Sequence, residues 1–189
     1  MKIGIDIDDV SLNFVDSFRD YCRQRNPPIK KVNEMEGHIS KWFGLDRKGF
    51  QKIHEEFANS FSYDCMPLVE GFREVYPVLK KEYDAVFITA RSPERKERTI
   101  NCFQKQIPEF DSLIYFSSEF YGKGNTKGEV CKRLRRQVHI EDNPDYINSC
   151  LEKGVNVFLF DRPWNQNCEH ENIVRVKNWK EILEKLNAN

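Results

Sequence analysis

The chain has no surplus of either charge: Lys plus Arg and Asp plus Glu each number 30 in 189 residues, so the formal net charge is zero. That balance removes the long-range attraction on which nucleic-acid polymers and anionic membranes rely, and a small, locally recognised ligand is the expectation. The six cysteines, at 22, 65, 102, 131, 150 and 168, include no CxxC pair and no Cys/His cluster of zinc-like spacing. They read as the reduced thiols of a cytoplasmic protein. No apolar run approaches the ~18 residues of a membrane span, and no basic n-region leads into an apolar h-region, so a soluble, unexported protein is expected. The histidines at 38, 54, 139 and 170 show no ligand spacing and are assigned no role. Internal repeats and low-complexity tracts are also missing. What the length allows is one α/β domain plus an insertion, burying roughly 70% of its unfolded surface.

Against these absences stand the first ten residues, MKIGIDIDDV, where an apolar strand pattern at Ile3 and Ile5 ends in Asp6, Asp8 and Asp9. Parallel sheets keep their active sites just outside the carboxyl ends of their strands. Acids spaced i and i+2 can converge there on one metal ion or substrate, because the chain is leaving the sheet. From about Leu12 to Phe61 the pattern is helical. Leu12, Val15, Phe18 and Cys22 share one face; Phe50, Ile53, Phe57 and Phe61 repeat the spacing after Asp46, a candidate N-cap.

From about Glu70 helices and strands alternate, which favours a parallel sheet. Phe72, Val75 and Leu79 predict a helix that Pro77 should kink or shorten. Ala85–Ile88 reads as a buried strand delivering Thr89, Ala90 and Arg91 to its end, before Ser92-Pro93 opens a helix with Ser92 as its N-cap and Pro93 at its first position. Leu113–Phe116 is a third strand. Thr126 and Glu129 form a capping box that sets Lys127 on the first turn of a helix. Val138–Ile140 leads to Glu141 and Asp142, and Asn143-Pro144 starts the next helix. Val155–Phe160 is a fifth strand, followed by Asp161-Arg162-Pro163-Trp164-Asn165, and Asn178 caps a last helix.

Strands one, two and four thus end in polar residues of complementary chemistry. Asp6, Asp8 and Asp142 can hold one hard cation through oxygen, Mg²⁺ being the natural choice. Thr89 offers a hydroxyl and a neighbouring N–H to a phosphate oxygen, and Lys127 adds a positive charge near a helix N-terminus. Lys123 is the alternative phosphate lysine. Trp42, Phe43, Phe57, Phe61 and Trp164 are aromatic candidates for stacking on a base, and the basic run 132–136 reads as a solvated helix face.

In this order the motifs Asp6-Ile7-Asp8-Asp9-Val10, Thr89-Ala90-Arg91, Lys127 and Glu141-Asp142-Asn143-Pro144-Asp145 resemble those of the haloacid dehalogenase (HAD) superfamily of phosphohydrolases. The resemblance implies an α/β fold: a Rossmann-like core of parallel sheet flanked by helices, residues 1–11 and 66–189, with a small helical cap, 12–65, inserted after the first strand. It implies that Asp6 attacks phosphorus to form an aspartyl-phosphate and that Asp8 acts as acid and base while its carbonyl joins the metal shell. Thr89, Ala90, Arg91 and Lys127 would bind phosphate; Asp142 would complete a Mg²⁺ site with Asp6 and Asp8; Glu141 or Asp145 would lie in its outer shell.

The cap position, Met66-Pro67-Leu68-Val69-Glu70-Gly71, the Asp161–Asn165 loop and Asn178-Trp179-Lys180-Glu181-Ile182-Leu183 are similar to the 5′(3′)-deoxyribonucleotidase group and its bacterial nucleotidase relatives. A Mg²⁺-dependent nucleotidase acting on nucleoside monophosphates is therefore expected. The alternatives are a phosphatase for a sugar phosphate or another small phosphomonoester, and a non-catalytic nucleotide-binding module. Two departures from the family pattern are Asp9, where many members carry a small residue, and Glu141, which replaces an aspartate.

Overall fold

The computed structural model describes all residues except 31–38, 118–121, 123 and 189; Lys123 and His38 lie outside the described residues. Six parallel strands form one sheet: β1 (Lys2–Ile5), β2 (Asp84–Thr89), β3 (Ile114–Phe116), β4 (Val138–Glu141), β5 (Asn156–Phe160) and β6 (Ile173–Val176), in the order β3-β2-β1-β4-β5-β6. Both faces are covered, which is why the strands read as near-continuous apolar runs. Ile3, Ile5, Phe87, Ile140, Phe158 and Phe160 join one core with α5 (Phe72–Glu82), α6 (Lys96–Gln104) and α9 (Trp179–Asn187). Val86, Ile88, Val157 and Leu159 join the other with α7 (Lys127–Arg133) and α8 (Pro144–Glu152).

Between β1 and α5 lie α1 (Phe14–Gln24), α2 (Ile39–Trp42), α3 (Arg47–Ala58) and α4 (Phe61–Asp64). Phe18 is their centre, edge-on to Phe43, Phe50 and Phe57 within 5.1–5.6 Å. The chain leaves and re-enters the body at one place: Asn13 donates to the Pro67 carbonyl and Val69 to that of Ser11.

Several elements differ from the sequence expectation. Phe61 does not extend the apolar face of α3; that helix stops at Ala58, and Phe61 begins α4 and is 78% exposed. Pro77 does not shorten α5, which runs eleven residues because Phe72, Val75, Tyr76 and Leu79 on its buried face hold it against the sheet. Ser92 makes no side-chain cap; a 3₁₀ turn over Pro93–Arg95 intervenes before α6. The sixth strand is additional, a short edge strand whose first three residues are only half-buried. The Thr126–Glu129 capping box and the Asp46, Asn143 and Asn178 caps form as the residue types predict.

Candidate active site

β1 and β4 are neighbours at the centre of the sheet, and their carboxyl ends bring Asp6 and Asp142 together over the amino end of α7. Lys127, the first residue of that helix, is fully buried; its Nζ lies 2.6 Å from Asp6 Oδ1 and 2.7 Å from Glu141 Oε2. Two glycines permit this packing. A Cβ on Gly128 would come 1.8 Å from the Ser149 carbonyl oxygen, so only glycine lets α7 meet α8 this closely; a Cβ on Gly4 would come 2.8 Å from His139 Nδ1.

Glu141 is saturated. Its Oε1 accepts the backbone N–H groups of Asp142 and Asn143, at 3.1 and 3.0 Å, and its Oε2 meets Lys127 and, at 3.2 Å, His139 Nε2. Glu141 therefore holds the lysine and shapes the loop that presents Asp142. Asp142 Oδ2 accepts the Trp164 indole N–H at 2.9 Å, and Asn165 donates to the Asp142 carbonyl at 2.8 Å. Asp6, Glu141 and Asp142 offer oxygens within 4.8 Å of one another, all buried. With Glu141 fully engaged, Asp6 Oδ2 and Asp142 Oδ1 are the oxygens left without a hydrogen bond among the described residues.

The electrostatics follow from three carboxylates crowded into a buried site. Burial drives the Asp6 carboxyl up to about 7, the Glu141 charge adding to the effect and Lys127 opposing it. Burial, with Asp9, Glu141 and Asp6 as like-charged neighbours, pushes Asp142 well above the usual carboxylate range. Glu141 resists the same burial, because Lys127 and His139 hold it down to about 2. Lys127 keeps its proton against burial under the pull of Asp6 and Glu141. Such a set, short of positive charge and furnished with hard oxygens, fits a small divalent cation such as Mg²⁺ held by Asp6 and Asp142.

Asp8 points elsewhere. Its carboxylate is clasped by Arg91, with Nε 3.2 and 3.0 Å from the two oxygens and Nη2 2.6 Å from Oδ1, while Arg91 Nη1 donates to Thr99 and the guanidinium lies 4.8 Å from the Tyr63 ring centre. Arg91 is thus paired with Asp8, and the Thr89 hydroxyl accepts the Arg91 backbone N–H. Asp9 takes up a left-handed φ of 56° and caps α1, both carboxylate oxygens accepting the Val15 N–H. The acid at this position secures the entry to the inserted helices.

Above these groups opens a cavity of about 320 Å³, its floor formed by Asp6, Asp8, Lys127 and Asp142, its upper wall by Phe14, Trp42, Phe50, His54 and Tyr63. Ala90, Arg91, Asp145, Tyr146 and Trp164 also line it. Phe43 and Phe57 pack inside the helical core instead. Sequence reasoning missed His139 and Asn165. The signal for His139 was available, since it lies two residues before Glu141 and hence on the same side of β4.

The crystal structure described as “the putative HAD-hydrolase YfnB from Bacillus subtilis bound to magnesium” matches with a TM-score of 0.66 at 13% identity, covering 98% of each chain. The fold is that of the HAD superfamily. No protein-family model matches the chain. Among curated sequences, “Putative nucleotidase YqfW” of Bacillus subtilis is 26% identical over 100% of this chain and 95% of its own length. “Putative nucleotidase BH1399” of Halalkalibacterium halodurans is 25% identical over 95% and 89%. The four motifs of the HAD resemblance come together at one end of the central strands, and among the described residues no helix is long and apolar enough to cross a membrane.

Proposed function

We propose that the protein is a Mg²⁺-dependent phosphomonoesterase that removes phosphate from nucleoside monophosphates through an aspartyl-phosphate on Asp6. The observation that carries this reading is the buried group of Asp6, Asp142 and Glu141 around Lys127 at the floor of a cavity large enough for a small organic phosphate. The whole-chain likeness to proteins named nucleotidases supports the substrate class. So does the aromatic upper wall, which suits a planar base.

Asp6 and Asp142 would hold the Mg²⁺, whose charge offsets the repulsion between carboxylate and phosphate. In the first step an Asp6 oxygen attacks phosphorus, the bond to the leaving alcohol oxygen breaks, and Asp8 gives that oxygen a proton. In the second, Asp8 takes a proton from water, whose oxygen attacks phosphorus and releases Asp6 as the carboxylate. Lys127 supplies the permanent cation beside the nucleophile. Arg91 occupies both Asp8 oxygens, so Asp8 must leave that clasp to reach the leaving group.

Residues 12–65 act as the cap, entered and left through the paired segments at Asn13–Pro67 and Ser11–Val69. The six free cysteines suit a reducing, cytoplasmic compartment. Release of inorganic phosphate from a panel of ribo- and deoxyribonucleoside monophosphates, sugar phosphates and p-nitrophenyl phosphate, with Mg²⁺ or EDTA, tests the proposal. Metal-dependent release concentrated on nucleotides is expected. Release from sugar phosphates alone would keep the chemistry and discard the substrate class, and release from none would discard both.

A further inference from the structure

We infer that Trp164 is a positioning residue for Asp142, and that its contact with Trp42 makes cation binding at Asp6 and Asp142 depend on the inserted helices. The inference rests on the reading of those two aspartates as the cation site.

The two tryptophans come from opposite sides of the cavity. Trp164 sits in the 3₁₀ turn after β5, and Trp42 ends α2 in the inserted segment; their ring centres are 5.3 Å apart at an interplanar angle of 38°. Trp164 donates its one N–H to Asp142 Oδ2, and the next residue, Asn165, donates to the Asp142 carbonyl and, at 2.7 Å, to that of Phe160. Asn165 in turn receives Arg175 Nη1 on its side-chain oxygen. Asp142 is therefore held at two points, carboxylate and carbonyl, by adjacent residues of one short turn. Trp164 also touches the inserted helices, through Trp42.

A ligating carboxylate is aimed by the donor on its other oxygen, and removing such a donor typically weakens metal binding 10–100-fold. With Oδ2 fixed by the indole, Oδ1 is the Asp142 oxygen presented to a cation. The Trp42 ring limits how far the indole can swing, so displacement of the inserted helices reaches the Asp142 carboxylate through Trp164. This is a role distinct from base stacking, because it operates with the cavity empty of substrate.

Isothermal titration of the full-length protein with Mg²⁺ alone, free of substrate, tests the inference. Wild type is expected to bind one ion, and Asp142→Asn to bind none. Trp164→Phe, which keeps a ring against Trp42 but lacks the N–H, should bind Mg²⁺ at least about tenfold more weakly. Trp164→His, which restores a ring N–H, should recover part of that loss. Trp42→Leu keeps the indole bond but loses the stack; it should weaken binding by a factor of roughly 2–10, the worth of one aromatic pair.

Thermal midpoints in EDTA verify that each variant is folded. Wild-type affinity in Trp164→Phe would overturn the positioning role, and wild-type affinity in Trp42→Leu would overturn the coupling to the inserted helices, including in the case where Trp164→Phe does not fold. Absence of Mg²⁺ binding by the wild type would instead overturn the cation reading itself, and the inference with it.

Discussion

Replacing Lys127 by methionine tests the electrostatic logic of the site in one step. The ammonium is fully buried, 2.6 Å from Asp6 and 2.7 Å from Glu141, and Asp142 lies in the same cluster. Methionine fills much of the same volume with no charge, so the packing loss is small and the electrostatic loss dominates. Removing one partner of a buried pair typically costs about 3–5 kcal/mol, because the other is left buried without compensation. Here Asp6 loses its cation and Glu141 keeps only His139 as an ion-pair partner among the described residues.

The loss depends on pH. Asp6 already titrates near 7 because of burial, and without Lys127 its proton affinity rises further. An acid whose folded-state pKa is raised holds its proton in the native state and not in the unfolded one, so stability falls as pH rises above the unfolded value. The Lys127→Met deficit should therefore be smallest near pH 5 and largest near pH 8. Urea unfolding in EDTA across that range is the assay. Mg²⁺ should stabilise the variant more than the wild type, since a bound cation replaces missing charge; at 100 times its Kd a ligand adds about 2.7 kcal/mol. A deficit below about 1 kcal/mol at pH 8 in EDTA would contradict the 3–5 kcal/mol expected of a broken buried pair and refute the reasoning.

Gly128→Ala should destabilise by more than about 3 kcal/mol, above the usual range for overpacking, because its methyl meets the Ser149 carbonyl at 1.8 Å where ordinary contact begins at 3.4 Å; chemical denaturation gives the value, and near-wild-type stability would show that α8 can move aside. His54 lies between Phe14 and Phe50, and burial pushes it down to about 4. A depressed histidine loses stability as pH falls from about 6.5 towards 4, so His54→Gln should flatten the acid limb of the stability curve by at most about 3 kcal/mol; parallel curves for the two proteins would count against it. Arg91→Lys cannot reproduce the two-nitrogen clasp on Asp8, and a loss of about 1–3 kcal/mol in stability is expected from thermal unfolding, against none if the clasp is idle.

The sequence is most readable where local chemistry decides the outcome. Caps at Asp46, Thr126, Asn143 and Asn178 depend on one side chain and one nearby N–H, and all form. The apolar runs of β1, β2 and β5 are buried and so announce themselves, while β4 is buried throughout although His139 and Glu141 make up half of it. The edge strand β6 is legible to neither test: four residues, with one arginine and only Val176 fully buried.

At the site, Asp6, Lys127 and Asp142 are placed together by strand ends and a helix start, features that carry a spatial meaning in any parallel sheet. Which partner each side chain selects was not written there. Arg91 faces Asp8 across 83 positions of sequence, and Trp164 faces Asp142 and Trp42 because the inserted helices fold down over the sheet end. Those choices depend on tertiary distances of a few ångströms that no spacing rule encodes.

The proposed mechanism turns on Asp6 as the nucleophile. Acid quenching during turnover of a nucleoside monophosphate, followed by borohydride reduction and peptide mass spectrometry, reads it directly, since an aspartyl-phosphate is reduced to homoserine and a free aspartate is not. Homoserine at position 6, present only when substrate and Mg²⁺ are both supplied and absent in Asp6→Asn, is the expected result. Turnover without modification at position 6, or undiminished turnover by Asp6→Asn, would contradict it.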